Sequence, residues 1–240
     1  MISKALFEVC AFNIQSAIIA EKAGAARVEL CDNPIEGGTT PSYGCLLQTR
    51  KKIAIPLYPL IRPRAGNYFY DEEEWKIIKE DIKLCKEIGC DGISIGVQNL
   101  DGTINSSRLK QIVEWAYPMG VTCNRVFDTC PDPFESLEAI INAGCERVLT
   151  SGQKTAAPEA ASLLHKLVIK AGTRIIIMPG AGINSNNIAA LKKQTGAKEF
   201  HGSAKKIMKN PMTFLNDQVS DYGRIFLADE AEIRKIIGLL

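Results

Sequence analysis

The feature that most constrains this chain is an alternation repeated eight times along its length. Short β-like runs at Phe7–Phe12, Arg27–Cys31, Ile55–Arg62, Gly92–Val97, Val121–Asp128, Arg147–Ser151, Arg174–Met178 and Glu199–Gly202 are each followed by a helical pattern. Helices are predicted over Ile14–Ala23, Pro41–Lys52, Glu72–Ile88, Ser106–Tyr117, Pro133–Ala143, Pro158–Lys170, Asn186–Thr195 and Asp229–Ile237. In Glu72–Ile88 the apolar residues Trp75, Ile78, Ile82, Cys85 and Ile88 recur at three- and four-residue spacing, one face of a helix. Five segments end at a glycine, Gly24, Gly89, Gly120, Gly144 or Gly196, the residue that best adopts the left-handed conformation closing a helix. Eight βα units without a linker predict one α/β domain over residues 1–240, a closed (β/α)8 TIM-type barrel. The rival, an open doubly wound sheet, would carry a phosphate fingerprint after its first strand, and Phe12-Asn13-Ile14-Gln15 is not one. An irregular stretch at about 204–228 precedes the last helix and is expected to add a short strand or helix at the barrel mouth or an interface.

In such a barrel the chemistry sits where strands end and βα loops begin. The unusual residues of this chain fall there: Arg62 and Arg64, Asn124, Arg125 and Asp128, Ser151, Gly180 and Gly182, and His201, Gly202 and Ser203. The second run, Arg27–Cys31, enters a glycine-rich loop, Asp32–Pro41, in which Thr40 is read as a helix cap and Pro41 as the first helical residue. Strand alternation puts Glu8 and Cys10 on one face of the first run and Glu29 and Cys31 on one face of the second. With both faces inward, the carboxylates form one layer and the thiols another nearer the mouth. Two thiols on rigid strands suit a soft ion such as Cu(I); the alternative is that they pack as small hydrophobes. The glutamates need partners, and Arg62 and Arg125 are the candidates; the result is a structural ion-pair network or a tuned general acid and base. Small-residue loops at Gly180–Gly182 and Gly202–Ser203 can offer N–H groups to phosphate or carboxylate. Only His201 of the two histidines ends a strand; His165 lies among leucines in a helix, so a multi-histidine centre is excluded.

Composition narrows the partners. The formal net charge of +2 does not call for nucleic acid or an anionic membrane, and no apolar run is long enough to span a bilayer. No secretory core precedes the first acidic residue, so a cytoplasmic location is expected, and the eight cysteines are read as reduced thiols. No CxxC pair marks a structural zinc site.

Together these segments resemble the CutC family of copper-homeostasis proteins. The resemblance rests on Phe7-Glu8-Val9-Cys10, Arg27-Val28-Glu29-Leu30-Cys31, Glu36-Gly37-Gly38-Thr39-Thr40-Pro41-Ser42, Ile61-Arg62-Pro63-Arg64, Arg147–Gly152, Met178–Ile183 and Glu199–Ala204. It implies a TIM-type barrel, a cytoplasmic homo-oligomer and a Cu(I)-binding role. One departure stands at Cys123-Asn124-Arg125-Val126-Phe127-Asp128, where the family usually carries Phe-His-Arg-Ala-Phe-Asp. The amide of Asn124 can hydrogen-bond but cannot shuttle protons near neutral pH.

Two functional expectations follow. In the first, Cys10 and Cys31 bind Cu(I) as part of copper homeostasis, with Cys45 as a further thiol near the same loop. In the second, the barrel is an enzyme acting on a small anionic or phosphorylated metabolite. Glu8, Glu29, Arg62, Arg125 and Asp128 then form the catalytic group, while Arg64, Asn124, Ser151, Gly180, Gly182, His201, Gly202 and Ser203 bind substrate.

Overall fold

The computed structural model describes residues 5–214, 216, 218 and 224–240. The eight runs form parallel strands: β1 (Leu6–Ala11), β2 (Arg27–Leu30), β3 (Leu57–Ile61), β4 (Gly92–Ile95), β5 (Gly120–Cys123), β6 (Arg147–Thr150), β7 (Ile176–Pro179) and β8 (Glu199–Gly202). They hydrogen-bond in the order β7-β6-β5-β4-β3-β2-β1-β8, and β7 packs against β8 to bring the ring to a nearly closed (β/α)8 barrel. Around it lie α1 (Ile14–Ala23), α2 (Tyr43–Lys52), α3 (Glu72–Ile88), α4 (Ser106–Ala116), α5 (Pro133–Ala143), α6 (Ala161–Ala171), α7 (Ile188–Thr195) and α8 (Glu230–Leu239).

Alternation along each strand sorts the side chains into two environments. On β1, Phe7, Val9 and Ala11 join the apolar core between sheet and helices, whereas Glu8 and Cys10 fill the barrel interior. The interior is polar where many barrels stack branched aliphatics. Tyr58 crosses it from β3, over strands that carry glycine. A Cβ on Gly92 would lie 2.1 Å from the Tyr58 ring, and one on Gly120 would lie 2.3 Å from the Glu146 carboxylate. Gly120 therefore begins β5 and makes space; it does not close a helix. The other four glycines, Gly24, Gly89, Gly144 and Gly196, do occupy the left-handed conformation at helix ends.

Several boundaries differ from the sequence expectation. The second helix starts at Tyr43, not Pro41, because Ser42 provides its cap by accepting from Cys45 N. Thr40 serves the sheet instead, its N–H donating to Arg62 O and its Oγ1 accepting from Arg62 N at 2.9 Å. The fifth strand stops at Cys123 and does not reach Asp128. Asn124 Oδ1 accepts from Val126 N at 2.9 Å and turns the chain into a 3₁₀ helix, Arg125–Thr129. A 3₁₀ turn over Ala157–Ala160 likewise precedes the sixth helix. The irregular stretch after β8 contributes an antiparallel pair, β9 (Lys205–Met208) and β10 (Ile225–Ala228). Asn13 Nδ2 donates to Phe226 O, fixing this pair beside the β1–α1 loop. The positions 215, 217 and 219–223 within that stretch lie outside the described residues. Among the described residues no helix is long and apolar enough to cross a membrane.

Candidate functional site

The strands deliver two adjoining groups of ionisable side chains to the barrel axis. The lower is an ion network. Register sets Glu8 beside Arg27 across β1 and β2 and beside His201 across β1 and β8. Arg27 Nε donates to Glu8 Oε2, and Arg27 Nη2 donates to Glu199 Oε2 at 2.8 Å. Arg147 Nε donates to the same Glu199 oxygen at 2.7 Å, and its Nη1 reaches Glu146 at 2.8 Å. Burial alone would raise the Glu8 carboxyl, but Arg27 and then His201 outweigh it and bring its pKa down to about 2. Arg62 and Arg125, the partners expected from sequence, pair with neither glutamate: Glu8 meets Arg27 and His201, Glu29 faces His201 and Cys31, and Arg147 pairs with Glu199 and Glu146. The signal was present: Arg27 lies two residues before Glu29, and Arg147 and Glu199 also begin strands.

The upper group faces the mouth. Cys10 is level with Glu29 across the ladder, so the two glutamates do not share a layer; Glu8 sits one step below. Cys10 Sγ and Cys31 Sγ are 3.7 Å apart, and Cys31 Sγ is 3.5 Å from Glu29 Oε2. The donor atoms of Cys10, Glu29 and Cys31 all lie within 4.8 Å of one another. His201 bridges the two groups, with Nδ1 2.7 Å from Glu8 Oε1 and Nε2 3.6 Å from Glu29 Oε2. Burial opposes charge on His201, but Glu29, Cys10 and Glu8 hold its pKa well above the usual imidazole value. A hydrogen bond from Cys31, with help from His201, offsets burial and lowers the Cys10 pKa; burial and the same shared proton raise that of Cys31.

Above these residues opens a cavity of about 780 Å³. Cys10, Glu29, Arg62, Asn124, Arg125, Asp128, Gly182, His201, Gly202 and Ser203 line it. Glu8 lies behind His201, and Cys31 is buried behind Cys10. Arg64 turns away to pair with Glu74 on α3. Ser151 is fully buried and donates to Asp128, as do Thr150 Oγ1, Arg125 Nε and the N–H groups of Ser151 and Gln153. Asp128 is therefore saturated as an acceptor and shapes the loop after β6. Gly180 makes room, since a Cβ there would meet Leu149 at 2.4 Å and the His201 ring at 3.2 Å. Cys45 is half-buried in α2, and His165 is exposed on α6 with its Nδ1 3.3 Å from Thr195 O.

A barrel with cysteine and glutamate ending its first two inward faces matches a family model. The model described as the CutC family covers residues 5–206. The chain belongs to the CutC family. A CutC family protein of Parabacteroides distasonis is 45% identical over 218 residues, covering 90% of this chain and 89% of that protein. Another, from Xanthomonas campestris pv. campestris strain B100, is 42% identical over 237 residues, covering 97% and 98% respectively. The crystal structure of CutC from Streptococcus agalactiae, whose name carries the words copper homeostasis, superposes with a TM-score of 0.78 at 32% identity. It covers 83% of this chain and 98% of that one. Phosphoribosylanthranilate isomerase of Thermotoga maritima superposes at a TM-score of 0.62 with 11% identity over 98% of each chain, a likeness of fold alone.

Proposed function

We propose that this CutC family member serves copper homeostasis by binding Cu(I) at Cys10 and Cys31, with Glu29 or His201 completing the site. The observation that carries the reading is the pair of sulfurs 3.7 Å apart beside a carboxylate, one of them on the wall of an open cavity. Thiolates are soft donors that select Cu(I) over harder cations. With metal–thiolate bonds of about 2.3 Å the two sulfurs subtend about 110° at the ion, a bent arrangement that leaves room for a third donor. Glu29 Oε2 is within reach, and His201 Nε2 is the softer alternative once it gives up its proton. Binding therefore displaces protons from the thiols and strengthens as pH rises. A reducing, cytoplasmic setting keeps both thiols available.

The test is an anaerobic titration of reduced protein with Cu(I) against the chromophoric chelator bicinchoninate. One equivalent is expected to be withheld from the chelator by the wild type and none by the Cys10→Ser, Cys31→Ser double variant. Equal retention by both proteins sinks the proposal.

A further inference from the structure

A metal ion at the thiols would fill only one corner of a cavity of about 780 Å³, a volume typical of sites that enclose an organic molecule. The charges around the rest of that cavity are unequal in how they are satisfied. Its acidic groups, exposed Glu36 aside, are already engaged. Asp128 accepts from Arg125, Thr150, Ser151 and Gln153; Glu232 accepts from Ser185 N and Oγ; Asp229 caps α8 and pairs with Lys206. Glu29 faces His201 and Cys31, and Glu36 sits exposed on the lip.

Two cations are not balanced in this way. Arg62 is 5% exposed, yet its guanidinium donates only to neutral carbonyls, those of Glu36, Gly38 and Gly66. Its Nε has no acceptor among the described residues, and none of their carboxylates pairs with it. Lys205 is exposed at the rim of the cavity, lies against the rings of Phe12 and Phe226 and has no carboxylate partner among the described residues, so only Arg62 carries the cost of burial. A buried cation without an anion is costly, so a cavity that keeps one is built for a negative ligand. Beside Lys205, the N–H groups of Gly182, Ser203 and Ala204 donate to no acceptor among the described residues. Arg125, after β5 and so on the same side of the mouth as Arg62, is held by Asp128 and Ser151 with its side chain 43% exposed.

The two cationic ends belong to β3–β5 and to β8–β9, and β3 is three strands from β8 around the ring. They therefore face each other across the mouth, which Leu60, Leu149 and Tyr68, the last stacked on Arg62, also line. The geometry points to a binding site for a small organic dianion that carries a carboxylate at one end and a phosphate at the other. The N–H groups their present partners leave free, Nε of Arg62 and Nη1 of Arg125, take the carboxylate; Lys205 and the N–H groups of Gly182, Ser203 and Ala204 take the phosphate. Neither end uses the thiol pair, so the site goes beyond the copper reading and stands without it.

The experiment is a calorimetric titration of reduced, copper-free protein, which keeps the outcome separate from the metal proposal. The two-ended probes are phosphoglycolate and 3-phosphoglycerate; the one-ended probes are glycerate and glycerol 3-phosphate. A two-ended probe is expected to bind at least about tenfold more tightly than either one-ended probe, the scale of one charge-assisted contact. Lys205→Met is expected to weaken 3-phosphoglycerate and glycerol 3-phosphate about tenfold and to leave glycerate unaffected. Arg125→Gln should weaken 3-phosphoglycerate and glycerate and spare glycerol 3-phosphate. Arg62 is kept intact because it holds the mouth loops together. Lys193→Met, on an exposed face of α7 outside the cavity, leaves every affinity unchanged. Circular dichroism confirms that each variant is folded. Absence of saturable binding by both two-ended probes overturns the proposal. So does equal binding of one- and two-ended probes, or a uniform effect of both variants on all probes.

Discussion

Replacing Glu8 by Gln keeps the side-chain shape and removes only the charge that faces Arg27 and His201. Both partners keep one carboxylate each, Arg27 donating to Glu199 and His201 facing Glu29 at 3.6 Å. The Glu8 carboxyl is 3% exposed, and its pKa falls from 4.5 to about 2 on folding. At about 1.4 kcal/mol per pKa unit, that depression is worth about 3 kcal/mol of stability. Because the folded value is the lower one, the contribution is full above pH 4.5 and vanishes as pH falls toward about 2. His201 has the opposite sign: its folded pKa is raised, so its contribution is complete below the unfolded imidazole value and disappears as pH rises through the folded one. The comparison is therefore cleanest near pH 6, where His201 is largely protonated in the unfolded chain as well. Urea unfolding of wild type and Glu8→Gln should differ by about 3 kcal/mol there, and by less than half of that at about pH 3. Taking the difference between the two proteins cancels all groups that titrate alike in both. A gap under about 1 kcal/mol near pH 6, or one that does not shrink on acidification, would refute the account of the barrel's ion network.

Two further outcomes follow from packing and exposure. Gly92→Ala places a Cβ 2.1 Å from the Tyr58 ring, which is wedged between Arg27 and Arg147; unfolding should show a loss of about 1–3 kcal/mol, and a neutral result would mean Tyr58 is not fixed there. Of the eight thiols only Cys10 and Cys45 are half-exposed, so native, reduced, copper-free protein should be alkylated rapidly by two equivalents of iodoacetamide, counted by mass, and at the remaining six thiols only on unfolding. More than two fast thiols would contradict the burial of the others.

The fold was legible because eight runs of period two alternate with eight helical patterns, and each signal is local. The inward placement of Glu8, Cys10, Glu29 and Cys31 was legible for the same reason. What escaped was register. Glu8 pairs level with Arg27, and Cys10 with Glu29, an offset that depends on barrel stagger and has no local signature. The same limit hid Arg27, Arg147 and Glu199: strand starts read as edges in sequence, whereas the tilt of the strands carries these residues into the interior. Asn124 was read within a strand, and its tendency to cap a turn prevailed. Thr40 lost the helix cap to Ser42 because its hydroxyl and N–H are taken by the backbone of Arg62, just after β3. Arg62 was rightly placed near the mouth, but its partners are carbonyls from loops distant in sequence, which no spacing rule anticipates.

The central claim, that the thiol pair at the floor of the mouth holds Cu(I), is tested most directly by X-ray absorption at the copper edge on protein loaded with one equivalent under reducing conditions. Two sulfur scatterers at about 2.3 Å together with one lighter oxygen or nitrogen donor are expected, falling to one sulfur in Cys31→Ser. A first shell without sulfur, or one unchanged by Cys31→Ser, would contradict it.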